Sequence, residues 1–197
     1  MSGVIDALAT VCRERFLAEK ILIVPSLAVG HQIADRIAYE RTSWVNLRAE
    51  STRSLADTVV GFDLVRDGLT VYSRAQSLAL LDTACAEVLE KGSYFGKLAA
   101  QQGLHRAIQR TIDDLRQAKV RLASIDPSAF EDVRKREELQ KIIDVYEREL
   151  DSRSRVDRHG VLRRAVEKLR AARAANETLP FAPRAGQSDT VWMLAML

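Results

Sequence analysis

Residues 20–39 read KILIVPSLAVGHQIADRIAY, and this stretch indicates the fold class. Residues 21–24 are an unbroken apolar run, which is typical of a strand buried on both faces of a parallel sheet. Pro25 cannot donate to a sheet ladder and should end the strand, and Ser26 suits the N-cap of a following helix. The apolar stripe of that helix recurs every four residues, at Val29, Ile33 and Ile37. The stretch therefore predicts half of a βαβ unit, whose ligand edge is the carboxyl end of the strand.

The composition indicates a water-soluble chain with a real core. The 197 residues are 47% hydrophobic and 29% charged, with a net charge of +3. This mildly basic balance permits nucleic-acid binding without arguing strongly for it. Cys12 and Cys85 are the only cysteines, which suits a reducing compartment. No apolar run approaches the roughly 20 residues of a membrane span, and no signal peptide is visible. We therefore expect cytoplasmic localisation and no membrane partner.

Residues 1–73 are predicted to be the first part of an α/β subdomain. A helix over residues 3–18 precedes the strand, and a second short strand is expected at residues 44–47. A short helix then ends at Gly61, a suitable C′ residue.

Residues 74–175 show helical spacing almost throughout, so we expect an all-helical insertion of four or five helices. Residues 155–157 read as a break before the last of them. Residues 176–197 form a loop and then, from Thr190 onwards, an apolar strand that returns to the sheet. The chain stops inside this strand, so we expect a truncated fragment of a longer protein. The predicted fold class is α/β, a small parallel sheet with a large all-helical insertion.

The order of short motifs along the chain carries a family resemblance. Residues 21–37 look like the strand and helix of helicase motif Ia, and residues 45–56 look like the segment around motif Ib. The similar pieces of the helical part are residues 94–98, Gly103 with Leu104, residues 112–116, residues 139–150, and Asp157 with Leu162 and Ala165. In this order they resemble the amino-terminal part of the helicase-like, nuclease-bearing subunits of the ATP-dependent helicase–deoxyribonuclease family, which is related to superfamily 1 helicases of the UvrD type.

That resemblance implies a helicase-like fold, similar to P-loop NTPases but without the P-loop. It implies a role in DNA double-strand-break repair and recombination, in a parent protein that carries a PD-(D/E)XK-type nuclease farther along its chain. Its partners would be single-stranded DNA and a second helicase–nuclease subunit. The DNA contacts that it suggests are Ser26, His31, Gln32, Ser51, Thr52 and Arg53.

Several of these polar residues also have a plainer interpretation. Ser26 is a suitable helix N-cap whether or not it meets a phosphate. His31 and Gln32, placed in the first turn of the helix, can form a solvated face. A basic run on a later helix can track a phosphate backbone or face solvent: Arg106, Arg110, Arg116, Lys119 and Arg121. Asp113 and Asp114 interrupt that run, which favours the solvated face.

No complete catalytic, nucleotide or metal site is expected in this chain. The phosphate-binding pattern Gly-x-x-x-x-Gly-Lys-Ser/Thr is missing from the sequence. Pro25 lacks an amide, and Leu27 carries a side chain where glycine would be needed. Lys20 precedes the strand, at the end opposite to a phosphate site. We therefore expect no cofactor, no useful ATP affinity and a scaffold that engages DNA without hydrolysing ATP. The alternative is a helical protein-interaction module with no nucleic-acid role.

Overall fold

The computed structural model describes residues 2–39, 43–90, 92–98, 101–175 and 191–194. These residues contain seven α-helices and five short strands. The chain divides into two compact units, one of Met1–Phe62 with Arg164–Leu197 and the other of Asp63–Arg163. Each unit has its own apolar core.

The first unit is built on a three-stranded parallel sheet. The strands are β1 (Lys20–Val24), β2 (Leu47–Ser51) and β5 (Val191–Leu194), in the order β2–β1–β5. Lys20 pairs with Leu47 on one side and with Val191 on the other. The apolar run of β1 is central because it has a neighbour along each edge. The predicted α/β class is confirmed, and so is the predicted parallel pairing of β1 with β5 in one sheet. Parts of the predicted carboxyl-terminal segment lie outside the described residues: the loop over residues 176–188, and Thr190 and residues 195–197 of the strand.

Three helices accompany this sheet: α1 (Ser2–Glu14), α2 (Leu27–Tyr39) and the start of α3 (Thr52–Arg66). The helix predicted over residues 3–18 is shorter than expected and ends in a turn before β1. The buried core residues come from α1, α2 and the strands: Leu8, Ala9, Leu22, Val24, Ile33, Ile37 and Met193. The every-fourth-residue stripe predicted for α2 is therefore its core face.

The second strand begins later than its sequence pattern indicated. It was predicted over residues 44–47, whereas β2 starts at Leu47. Asn46 has a left-handed backbone with φ of 55°, which breaks an extended strand at that point. Its carbonyl accepts a hydrogen bond from the Lys20 amide at 2.7 Å and so sets the register at the start of β1.

Helix α3 also ends later than predicted. Gly61 was expected to terminate it, but the helix continues to Arg66. The left-handed residue is Gly68, with φ of 67°. Just past it, the Leu69 amide donates to the Leu64 carbonyl at 2.8 Å, which closes the last turn as in a Schellman motif. Gly61 is an interior helical residue.

The second unit is mainly helical. It contains α4 (Arg74–Val88), α5 (Gln102–Gln117), α6 (Val133–Ser152) and the start of α7 (Arg158–Ala174). The core is formed by buried residues of these helices together with one from a short 3-10 turn: Leu80, Leu81, Ala84, Cys85, Ile108, Ile112, Leu122, Leu139, Ile142, Val145, Tyr146 and Leu150. The α4 amino terminus has a capping box in which Ser73 and Gln76 satisfy each other's backbone amides.

The segment predicted to be all-helical contains a strand, so that prediction is wrong in this detail. β4 (Arg155–Val156) occupies the predicted break and pairs in parallel with β3 (Thr70–Val71). Ser154, with φ of 54°, separates α6 from this strand. A two-residue strand is too short to show the alternation by which strands are predicted from sequence.

Gly30 is a test of how closely α2 packs on the sheet. A Cβ atom at Gly30 would overlap the Ala49 Cβ of β2 and lie 3.3 Å from Val24 Cγ2. We expect Gly30→Ala to lower the free energy of unfolding by about 1–3 kcal/mol, because the Ala49 Cβ is fixed to its backbone and α2 must move away from β2. Gly61→Ala is the matched control, since nothing lies within 4 Å of the position of an added Cβ. This variant should raise the free energy of unfolding by about 0.5–1 kcal/mol, because alanine favours the interior of a helix over glycine. Urea denaturation of both variants measures the difference, and equal midpoints would contradict the close packing.

Candidate nucleic-acid-binding edge

Two strands of the first unit end at the same level. Val24, the last residue of β1, pairs with Ser51, the last residue of β2. β1 continues into α2 at Leu27, and β2 continues directly into α3 at Thr52. The amino termini of both helices therefore lie at the carboxyl edge of the sheet. Helix amino termini present unpaired amides and a partial positive charge, which favour anions.

Ser26 begins α2. Its Oγ accepts a hydrogen bond from the Val29 amide at 3.4 Å, and its carbonyl accepts one from the Gly30 amide at 3.1 Å. The side-chain bond is long compared with the usual value of about 2.9–3.0 Å. Ser26 is therefore the N-cap of α2, but its capping hydrogen bond is weak. The residue is exposed, so its hydroxyl also faces solvent at the edge.

Ser51 and Ser54 together fix the start of α3. The Ser51 amide donates to Ser54 Oγ at 2.8 Å, and the Ser54 amide donates to Ser51 Oγ at 3.1 Å. This reciprocal arrangement resembles a capping box with serine in place of glutamate. Ser51 is half-buried and its hydroxyl is engaged. It therefore positions the exposed residues Thr52 and Arg53 and is itself the least accessible of the predicted contacts.

Arg53 is held only loosely. Its Nε lies 3.8 Å from Asp57 Oδ2, and both side chains are about half exposed, at 53% and 50%. An exposed pair at this distance contributes little, typically about 0.2–1 kcal/mol. The guanidinium can therefore leave Asp57 for a phosphate at small cost.

His31 and Gln32 lie farther from the edge than predicted. α2 starts at Leu27, so both residues belong to its second turn and not to its first. The rise of a helix places them about 6 Å beyond its first residue. Both are exposed. Ser26, Thr52 and Arg53 therefore lie at the same sheet edge, and the half-buried Ser51 lies beneath them. His31 and Gln32 lie one turn farther along α2.

Comparison of this chain with protein-family models and with curated proteins gives no match. The chemistry of the edge is therefore inferred from its own residues and geometry. None of the helices in the described part of the chain is both long and apolar enough to cross a membrane.

Lys20 lies at the opposite end of β1 and is fully buried. Its Nζ donates to three carbonyl oxygens that follow α1, those of Arg15, Phe16 and Ala18, at 2.8, 3.1 and 2.6 Å. The ammonium group thereby supplies a donor to carbonyls beyond the end of α1, of which that of Arg15 also accepts from the Ala18 amide at 3.1 Å, and it complements the negative end of the helix dipole. All three of its donors are engaged, which leaves none for a nucleotide phosphate. Lys20 was predicted to precede the strand but is its first residue, and no sequence pattern indicates its buried role because lysine is normally exposed.

The second unit contains a separate polar cluster. Asp157 Oδ2 accepts from Arg116 Nη1 at 2.5 Å and from the Tyr146 hydroxyl at 3.0 Å, and Asp157 Oδ1 accepts from the Gly160 amide at 2.8 Å. Arg116 also donates to Glu147 at 2.6 Å. The cluster therefore joins α5, α6 and the start of α7. Arg116, one of the arginines considered for phosphate tracking, is engaged here and is only 21% exposed.

This cluster is built to hold helices and not to carry out acid–base chemistry. Both carboxylate oxygens of Asp157 already accept hydrogen bonds. Burial, together with the charge of Asp157, raises the pKa of the Tyr146 hydroxyl far above neutral pH, so the phenol stays protonated. Beside the cluster, His159 Nε2 lies 3.1 Å from Asp113 Oδ1, and burial raises the pKa of that carboxyl. Within the described residues, no group of three or more His, Cys, Asp or Glu side chains is placed to hold a metal ion.

The two cysteines are not arranged as nucleophiles. Cys12 and Cys85 are 0% and 1% exposed. Burial raises the pKa of Cys12, against the opposing charge of Lys20, and it raises the pKa of Cys85 to about 12. A reactive thiol needs a lowered pKa and access to solvent. Both cysteines are core residues of their own units.

Proposed function

We propose that this chain is part of a helicase-like subunit of a DNA double-strand-break repair helicase–nuclease. In this proposal it engages single-stranded DNA and docks a partner subunit, and it does not hydrolyse ATP. The proposal depends on one observation: the paired strands β1 and β2 end side by side, at Val24 and Ser51. The amino termini of α2 and α3 therefore lie at one edge of the sheet. The motif order noted in the sequence adds the family-level expectation.

The edge offers contacts that suit a phosphate backbone. The first amides of α2 and α3 are anion-binding groups. The Ser26 and Thr52 hydroxyls can donate to phosphate oxygens, and Arg53 can exchange its weak contact with Asp57 for a phosphate. Contacts of this kind position a nucleic acid without selecting its sequence. We therefore expect binding that tolerates many sequences and depends steeply on salt.

The proposed role does not need a nucleotide. Pro25 removes an amide from the turn after β1, and no glycine lies between Pro25 and Val29 to let a phosphate approach. Lys20 has its three donors on carbonyl oxygens at the other end of the strand. These features favour a binding scaffold over an ATP-driven motor.

Fluorescence anisotropy with a labelled single-stranded oligonucleotide tests the edge. We expect binding by the 197-residue chain at low salt and a linear fall of log K with log salt concentration. Arg53→Gln should lower the slope by about 0.7, the value of one phosphate contact on a single strand. Arg134→Gln is the matched control, because Arg134 is exposed and its Nη2 is bound to Asp132 at 2.6 Å. An equal loss in both variants would show that net charge and not the edge determines binding.

The alternative is a protein-interaction module with no nucleic-acid role. Its support is the exposure of large apolar side chains, such as Leu17 at 74% and Phe62 at 78%. A contiguous exposed apolar patch is typical of a protein–protein contact, and Val65, at 79% exposure, lies one turn from Phe62 on α3. The two functions separate in the same titration, since an interaction module should show no measurable DNA binding even at low salt.

A further inference from the structure

Helix α7 carries the excess positive charge of the whole protein. It contains six arginine and lysine residues and one glutamate. The full chain has 30 basic and 27 acidic residues, so the remainder of the chain has 24 basic and 26 acidic residues. Without α7 the net charge of the protein would be slightly negative. A basic surface on a single helix is the electrostatic pattern of a polyanion-binding element.

The arginines and the buried apolar residues of α7 lie on different faces of the helix. Val161, Ala165 and Ala172 recur at helical spacing and are buried at 3%, 4% and 9% exposure. With 3.6 residues per turn, Arg163 and Arg170 fall on the opposite side of the helix, and Arg173 lies next to Arg170. All three arginines are exposed. Their arrangement follows from the geometry of this one helix.

Arg170 and Arg173 belong to the exposed arginines whose guanidinium groups are not engaged by a described carboxylate, as do Arg106 and Arg110 of α5. Among the described residues they form no ion pair, whereas Arg148 is paired with Glu87 at 2.8 Å and Arg153 with Glu149 at 3.0 Å. A guanidinium without a carboxylate partner has no attraction to give up when it binds a phosphate. Arg173 lies in the last turn, where a cation also favours the helix dipole.

We propose that the exposed arginine face of α7 binds the phosphate backbone of single-stranded nucleic acid. The proposal rests on the proposed function and adds a second set of phosphate contacts to it. Residues 170 and 173 are three positions apart, about 4.5 Å along the helix axis, so their long side chains can reach neighbouring phosphates of one strand. Guanidinium groups suit this role because they bind phosphate oxygens in a bidentate manner. A membrane surface fits less well, because membrane binding by such a helix needs a free apolar face and that of α7 is buried.

The test compares two pairs of substitutions that remove the same charge. Arg170→Gln with Arg173→Gln removes two arginines that have no carboxylate partner among the described residues. Arg148→Gln with Arg153→Gln removes two exposed arginines that are already paired. In titrations of a labelled single-stranded oligonucleotide over a range of salt, the α7 pair should lower the slope of log K against log salt by about 1.4. The paired control should leave the slope near that of the unmodified chain.

Two further arms separate the possible outcomes. Arg170→Lys with Arg173→Lys keeps the charge and should keep most of the slope, and circular dichroism should show the same helix content in every variant. If the unmodified chain binds and the α7 pair changes nothing, this inference is wrong and the proposed function stands. If the unmodified chain does not bind DNA, both are wrong. Binding to vesicles rich in phosphatidylserine but not to DNA would assign the face to a membrane and overturn the inference.

Discussion

Replacing Asp157 with alanine should lower the free energy of unfolding by about 3–5 kcal/mol, the usual cost of removing one partner of a buried ion pair. Asp157 is 6% exposed and accepts hydrogen bonds from Arg116, Tyr146 and the Gly160 amide. Without it the Arg116 guanidinium loses its inner partner and keeps only the exposed carboxylate of Glu147. The Tyr146 hydroxyl and the Gly160 amide lose their acceptor at the same time.

Urea denaturation followed by circular dichroism measures this change. Asp144→Ala is the control, since Asp144 is an exposed residue of α6 whose hydrogen bond comes from Gln140 on the same helix. A surface substitution of that kind should change the free energy of unfolding by no more than about 0.5 kcal/mol. If the Asp157 variant lost less than about 1 kcal/mol, the cluster would not be what holds α5, α6 and α7 together.

Lys20→Met should lower the free energy of unfolding by about 2–3 kcal/mol. The methionine retains most of the buried stem, so the change isolates the ammonium group. Three carbonyl oxygens after α1 then lose the ammonium donor, although that of Arg15 keeps its hydrogen bond from the Ala18 amide, and hydrogen bonds to a charged group contribute about 1.5–3 kcal/mol each. The gain from no longer burying a charge offsets part of that loss.

Thermal and urea unfolding of Lys20→Met are compared with those of Lys141→Met, which changes an exposed lysine of α6. The control should stay within about 0.5 kcal/mol of the unmodified chain. Equal stability of the two variants would mean that Lys20 does not fasten the end of α1 to β1.

The parts of the fold that are well predicted are those with a strong local pattern. β1 has four consecutive apolar residues followed by Pro25, and α2 has an apolar residue every fourth position. The start of β2 was missed because it depends on the backbone of Asn46, which the residue type permits but does not require. The end of α3 was missed because Gly61 and Gly68 are equivalent as residue types, and only the structure shows which one is left-handed.

The candidate site was predictable to the extent that it follows from sheet geometry. Parallel strands end at one edge, so a polar residue at the end of each strand is expected there, and Ser26 and Ser51 follow that rule. The helix predicted from residue 27 does begin at Leu27, but a turn holds 3.6 residues, so His31 and Gln32 belong to its second turn and not to the first turn in which they were placed. The Arg116–Asp157 pair spans 41 residues, so no local pattern reveals it. The burial of Lys20 contradicts the ordinary exposure of lysine and has no sequence signature.

Titration of a labelled single-stranded oligonucleotide into the 197-residue chain, with and without Mg-ATP, is the decisive test of the proposed scaffold role. We expect binding at low salt that weakens steeply at moderate salt and is the same whether or not Mg-ATP is present. A parallel calorimetric titration should show no heat of Mg-ATP binding. Absence of DNA binding at low salt, or a Kd for Mg-ATP below about 100 μM, would contradict the scaffold role.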